Sequence, residues 1–179
     1  MKIIVITGSP HRNGTTFLLT DEWIKGAESQ GHEVIRFDAG LHPVHPCTGC
    51  DHCRSHEGKC VFDDLMTQIL PALLSTDLVL LSTPLYYFGF SAQIKAVLDR
   101  FYAVNEEVIA KPLKAMLLAA GGDSDDWAMG ALEHHYETVC RYLHWQDTGR
   151  LLALGLNTRE DAEASSYPRQ ARLLGASIH

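Results

Sequence analysis

Five short runs of this sequence are apolar along most of their length rather than in alternation: KIIVIT (2–7), EVIRF (33–37), DLVLLST (77–83), LKAMLLAA (113–120) and GRLLALG (149–155). A strand with one wet face alternates, whereas a strand covered on both faces does not, so these runs predict a parallel sheet with layers above and below. The stretches between them carry a helical period. Phe17, Trp23, Ile24 and Ala27 share a face, with Gly31 as a stop signal. Ile94, Val97, Leu98, Phe101 and Tyr102 form a second stripe, and Met129, Leu132, Tyr136, Val139 and Leu143 a third. Strand alternating with helix in this way specifies a doubly wound α/β fold. Such folds bind ligands beyond the carboxyl ends of their strands, which places the chemistry in the loops after residues 7, 83 and 120.

The chain has 179 residues, 46% of them hydrophobic, enough for a sizeable core. No linker-like run or internal repeat divides it, so residues 1–179 are expected to form a single domain. A formal net charge of −7 argues against nucleic acid, which needs clustered Lys and Arg. The opening MKIIVITGSP is too short an apolar run for an export signal or a membrane span, so a cytoplasmic protein with no membrane partner is expected. Thiols stay reduced there, which argues against a disulfide framework.

The loop after the first strand reads TGSPHRNGTT (7–16). Gly8 and Gly14 permit a tight turn, Ser9, Asn13, Thr15 and Thr16 supply short polar side chains, and a helix from about Thr15 turns its free N–H groups into the loop. Five residues separate the glycines and no Lys follows, so this is not a nucleotide P-loop; Pro10 excludes G-x-G-x-x-G. The arrangement suits a phosphate. It resembles the GSPRxNGNT signature of the NAD(P)H-dependent FMN reductases, whose fold is flavodoxin-like and in which this loop wraps the FMN phosphate. Gly8, Ser9, Pro10, Asn13, Gly14 and Thr16 match it. His11 stands where the family usually has Arg, and Thr15 where it has Asn or Ser. A neutral imidazole offers one donor where guanidinium offers a charged fork, and Arg12 is positioned to compensate. The resemblance covers residues 1 to 155 and implies a five-stranded parallel sheet in the order 2-1-3-4-5 with helices on both faces.

Residues 83–102, TPLYYFGFSAQIKAVLDRFY, resemble the family's TPxYxxxxSAQLKxxIDR segment. A flat isoalloxazine needs an apolar wall and backbone donors along its pyrimidine edge. On the resemblance, Pro84, Leu85, Tyr86, Tyr87, Phe88 and Gly89 are expected at the flavin. Lys95, Asp99 and Arg100 read as surface or subunit-interface charges. In AAGGDSDDW (119–127), the paired Gly121 and Gly122 allow close backbone approach and, by resemblance, flank the flavin edge; Asp123, Asp125 and Asp126 suit a helix start.

Residues 46–60 read PCTGCDHCRSHEGKC, so Cys47, Cys50, Cys53 and Cys60 form C-x2-C-x2-C-x6-C. Thiolates on a compact run with one more from beyond follow the logic of iron–sulfur ligation, and four thiolates also suit zinc. His42, His45, His52 and His56 add candidate zinc ligands, and Cys140 reads as core. The iron–sulfur flavoproteins, a branch of the family, carry a similar motif for a four-iron–four-sulfur cluster, while other members share such cysteines without one. A cluster, free thiols and zinc all remain open. The motif follows the second strand, at the same end of the sheet as the flavin loops.

The resemblance implies an FMN-dependent oxidoreductase that takes hydride from NAD(P)H and passes electrons to a quinone, nitro or azo compound, flavin or iron–sulfur centre, the acceptor being a small molecule or a protein. No catalytic side chain is required, because flavin N5 carries the chemistry. A homodimer or homotetramer is expected. The rivals are an iron–sulfur electron carrier without useful NAD(P)H activity and a zinc-stapled binding module. The tail from Asn157 reads as a closing helix restarted at Pro168.

Overall fold

The computed structural model describes residues 1–179. Its chain order is β1 (Lys2–Thr7), α1 (Thr15–Ser29), β2 (Glu33–Asp38), α2 (His52–Ser55), α3 (Met66–Ser75), β3 (Leu78–Pro84), α4 (Ala92–Arg100), α5 (Asn105–Ala110), β4 (Lys114–Ala120), α6 (Gly130–Tyr142), β5 (Gln146–Ala153), α7 (Arg159–Ala164) and α8 (Tyr167–Ala176). Single 3-10 turns cover Phe101–Val104 and Asp126–Met129. The five strands are all parallel in the order β2-β1-β3-β4-β5, as the resemblance implies for a flavodoxin-like fold.

Burial explains the non-alternating strands. Every residue of β3 is buried, as are Ile3 to Thr7 of β1 and Ala115 to Ala120 of β4. Alternate strand residues feed two cores. One joins Ile4, Ile6, Val79, Leu81 and Leu117 to α3, α4 and α6; the other joins Ile3, Val5, Leu80 and Leu118 to Trp23 of α1 and Ala171 of α8. The two edge strands are the exceptions: β2 buries only Phe37, and β5 only Leu151 and Ala153. No helix is long and apolar enough to cross a membrane.

Four elements depart from the sequence reading, the short α2 within the cysteine loop among them. The helix α3 was not anticipated, and it carries Pro71 in its interior, where a missing N–H ordinarily breaks a helix. Burial of Met66, Ile69, Leu70 and Leu73 outweighs that lost bond. The short α5 was likewise unread. The last strand begins at Gln146 rather than Gly149, because its polar first half pairs with Lys114 and Ala115 of β4 before the bulge at Ala115/Met116. The tail forms two helices, α7 and α8, with Pro168 in the first turn of α8.

Candidate functional site

The loops after β1, β3, β4 and β5 are laced together by backbone hydrogen bonds. Gly8 donates to the Ser82 carbonyl at 2.8 Å, Leu85 to Ala120 at 2.7 Å, Gly121 to Ala153 at 2.9 Å and Leu156 to Gly121 at 2.9 Å. Ser91, the N-cap of α4, donates its hydroxyl to the Gly8 carbonyl at 3.1 Å. The close fit explains two glycines: a Cβ on Gly8 would stand 2.3 Å from Ser91 Oγ, and one on Gly40 would stand 2.0 Å from the Ser9 carbonyl oxygen.

These loops enclose a cleft of about 710 Å³ lined by Ser9 to Thr16, Pro84 to Tyr86, Ala120 to Gly122, Leu156, Asn157 and Arg159. That volume lies within the range of cofactor sites, roughly 300–1,000 Å³. The cleft brings together Ser9, His11, Asn13, Gly14, Thr15, Thr16, Pro84, Leu85, Tyr86, Gly121 and Gly122. Tyr87, Phe88 and Gly89 lie outside its lining, because Tyr86 and Gly89 exchange hydrogen bonds across a tight turn that swings its tip outward. Tyr87 is fully exposed, and both Tyr87 (φ 45°) and Phe88 (φ 61°) adopt left-handed backbone. Phe88 packs on Trp127 with ring centroids 5.0 Å apart.

Leu156, Asn157 and Arg159 were missed by sequence reasoning. The end of the fifth strand was the available signal, since the rule that sites lie beyond carboxyl ends applies to β5 as well. The Asn157 side-chain amide reaches the Gly122 carbonyl at 3.4 Å, and a Cβ on Gly122 would collide with it.

The floor of the cleft is the start of α1. Its N-cap is Gly14, with no side-chain cap, and the first turn holds no acidic residue. Intrahelical bonding begins with Leu18 donating to Gly14, so the N–H groups of Thr15, Thr16 and Phe17 have no intrahelical acceptor. An uncapped helix start inside a cleft is an anion site, favoured further by the helix dipole. No carboxylate lines the cleft, while Arg12 and Arg159 do. Asp123 and Asp125 are turned to local duties, accepting from the Asp125 N–H and from Trp127 Nε1. The geometry fits a phosphate on α1 with a flat apolar group against Pro84 and Leu85.

The cysteines lie on the loop that follows β2. Gly49, Asp51, Glu57 and Gly58 all take left-handed backbone there, coiling the loop tightly. Cys47, Cys50, Cys53 and Cys60 line a single small cavity with Phe62, Arg100 and Tyr102. All are free; Cys47 and Cys50 are exposed, Cys53 and Cys60 half-buried. The His52 backbone N–H and the Thr48 hydroxyl lower the Cys50 thiol below its ordinary value. No three His, Cys, Asp or Glu side chains converge as ligands of one ion. The histidines have other contacts: His52 stacks on His56, and His45 on Phe62. The four thiols on one cavity are the donor type that iron–sulfur ligation uses.

Two charge assignments separate here. Lys95 and Asp99 form an exposed pair on α4 at 2.6 Å. Arg100 is not a surface or interface charge: it is 2% exposed and paired with Asp64. Burial works against the Asp64 carboxylate, but the N–H of His45, the Arg100 guanidinium and the N–H of Met66 outweigh it and hold its pKa low. Cys140 is core, its thiol pushed up to about 11 by burial.

Comparison with known proteins places this geometry. The sequence model described as NADPH-dependent FMN reductase matches residues 1–156. An iron-sulfur flavoprotein of Methanocaldococcus jannaschii is 37% identical over 56% of the chain and 51% of its own length. An iron-sulfur flavoprotein of Archaeoglobus fulgidus is 36% identical over 68% of the chain and 62% of its own length. The matches thus span about half to three-fifths of these curated relatives. Among solved structures, an NAD(P)H:quinone oxidoreductase from Methanothermobacter marburgensis superposes with a TM-score of 0.76 at 14% identity, covering 100% of this chain and 97% of its own, a likeness of fold.

Proposed function

The chain belongs to the NADPH-dependent FMN reductase family, and from that premise we propose that it is an FMN-dependent oxidoreductase using NAD(P)H. Bound FMN would take up hydride from NAD(P)H and release the electrons to a quinone, nitro or azo compound, flavin or iron–sulfur acceptor. The observation that carries the reading is the uncapped start of α1 at the floor of a cleft free of carboxylates. The N–H groups of Thr15, Thr16 and Phe17 would hold the phosphate, with the Ser9, Thr15 and Thr16 hydroxyls as further donors. Arg12 and Arg159 supply positive charge that His11 lacks when neutral. Pro84 and Leu85 would wall the ring, while Gly121 and Gly122 let the backbone approach its edge. No side chain is needed as a general acid or base, and none in the lining is a carboxylate.

The names of the curated relatives, the spacing of Cys47, Cys50, Cys53 and Cys60 and their shared cavity support a four-iron–four-sulfur cluster as a second centre. The protein purified without oxygen is expected to carry FMN equimolar with the chain, and NAD(P)H is expected to bleach it. Protein that neither retains added FMN nor oxidises NAD(P)H faster than free FMN would overturn the reading.

A further inference from the structure

Arg100 closes α4, where a basic side chain ordinarily reaches water, yet it is 2% exposed. Its guanidinium is committed to the two ends of the cysteine loop. Nη1 donates to the His45 carbonyl and to Asp64 Oδ2, both at 2.9 Å, and Nη2 to Asp64 Oδ1 at 3.4 Å. Asp64 also accepts from the His45 N–H at 2.9 Å and the Met66 N–H at 3.0 Å. His45 lies just before Cys47 and Asp64 just after Cys60, so one ion pair pins the chain on both sides of the motif. The Phe62 ring stacks on His45 at 4.7 Å and lies 5.5 Å from the Arg100 guanidinium. Of the two N–H groups left over, that of Nε is buried and has no acceptor, in a side chain that lines the cysteine cavity. A buried donor is costly to leave unmade, and sulfur atoms facing that cavity are suitable acceptors.

We propose that Arg100 is the positioning residue of the cysteine centre. Clamped by Asp64, it holds both ends of the loop so that the thiols face one cavity, and its Nε donates a hydrogen bond to a sulfur of the occupied centre. Such a bond favours the more negatively charged reduced state and raises the reduction potential. The ion pair also explains why a lysine would not substitute, since one ammonium cannot span the His45 carbonyl and both Asp64 oxygens while offering a further donor. The inference rests on reading the cysteines as cluster ligands, and its test separates the two.

Wild type, Arg100→Gln, Arg100→Lys and Asp64→Asn would be purified without oxygen and assayed for iron, FMN, melting temperature and the midpoint potential of the centre. Arg100→Gln and Asp64→Asn are expected to keep FMN while iron affinity falls about 10- to 100-fold, the usual effect of losing a ligand-orienting partner. Arg100→Lys is expected to retain more iron at a more negative potential. Unchanged iron in both the Gln and Asn variants would overturn the proposal, as would parallel loss of FMN and iron, which marks a residue of the fold at large. Should Arg100→Gln not fold, the isosteric Asp64→Asn carries the test. Should wild type hold no iron, the cluster reading fails by itself, and the clamp is read from cross-linking of neighbouring thiols by phenylarsine oxide. Markedly slower cross-linking in Asp64→Asn supports the clamp; an equal rate overturns it.

Discussion

At the scale of single residues, charge placement decides more than charge count. His11 lines the cleft from the loop after β1, where a guanidinium would reach further, and it is exposed. Replacing it with Arg adds a charged fork at the cleft edge, where screening limits the gain to about 1 kcal/mol. His11→Arg is therefore expected to tighten FMN severalfold at low salt and less at high salt, measured by quenching of flavin fluorescence. Equal affinity at both salts would show that Arg12 already fills the role. Asp64 makes the opposite case, a charge held inside. Its pKa is lower folded than unfolded, so it adds stability that is present above the unfolded value of about 3.9 and is lost as pH falls through the folded value. Asp64→Asn leaves Arg100 uncompensated and should cost about 3–5 kcal/mol at neutral pH. The gap to wild type should narrow in acid, where the wild-type carboxyl is also neutral. Urea unfolding at neutral and acid pH checks this, and a pH-independent gap would remove the charge from the account.

At the scale of elements, what could be read in the sequence depended on whether a signal was local. The strands β1, β3 and β4 were legible to within a residue because burial on both faces makes them apolar throughout. The helix α3 was not, because Pro71 is a local stop signal that only tertiary burial overrides. Arg100 was misread for the same reason: its partner Asp64 is distant in sequence, and no pattern on α4 announces it. Ser9 to Thr16 were legible as a cleft wall because they follow one another on a single loop, whereas Asn157 and Arg159 join the lining only through the packing of the β5–α7 loop. The crossing of α1 and α8 was also invisible, although it depends on two glycines. A Cβ on Gly26 would stand 2.1 Å from the Arg172 carbonyl oxygen, and one on Gly175 would stand 2.0 Å from that of Trp23. Those contacts are backbone, so the helices themselves must part. Gly175→Ala is expected to lower stability by about 1–3 kcal/mol, read as an earlier urea midpoint, with FMN affinity preserved in the folded protein. An unchanged midpoint would mean that the two helices shift apart freely.

At the scale of the molecule, the arrangement of the cleft and the cysteine cavity follows from α4. Its N-cap, Ser91, is bonded to Gly8 beside the cleft, and its last residue, Arg100, anchors the cysteine loop. Nine residues of helix span about 14 Å. The loop leaves the carboxyl end of β2 beside the cleft, where Gly40 packs against Ser9, and both ends of its cysteine stretch are tied to the last residue of α4. The cleft and the cysteine cavity share no lining residue. Flavin binding and hydride uptake should therefore survive loss of the cysteines. A Cys50→Ser/Cys53→Ser variant changes two partly or fully exposed side chains, so little stability is at stake. It is expected to bind FMN as wild type does and to bleach at the wild-type rate with NAD(P)H in anaerobic stopped flow, while any iron is lost. Turnover with a one-electron acceptor should fall if electrons leave through the cysteine centre, and turnover with a two-electron acceptor should not. Slower bleaching in the variant would contradict the separation, because it would show that the cysteine loop shapes the cleft through α4 despite sharing none of its walls.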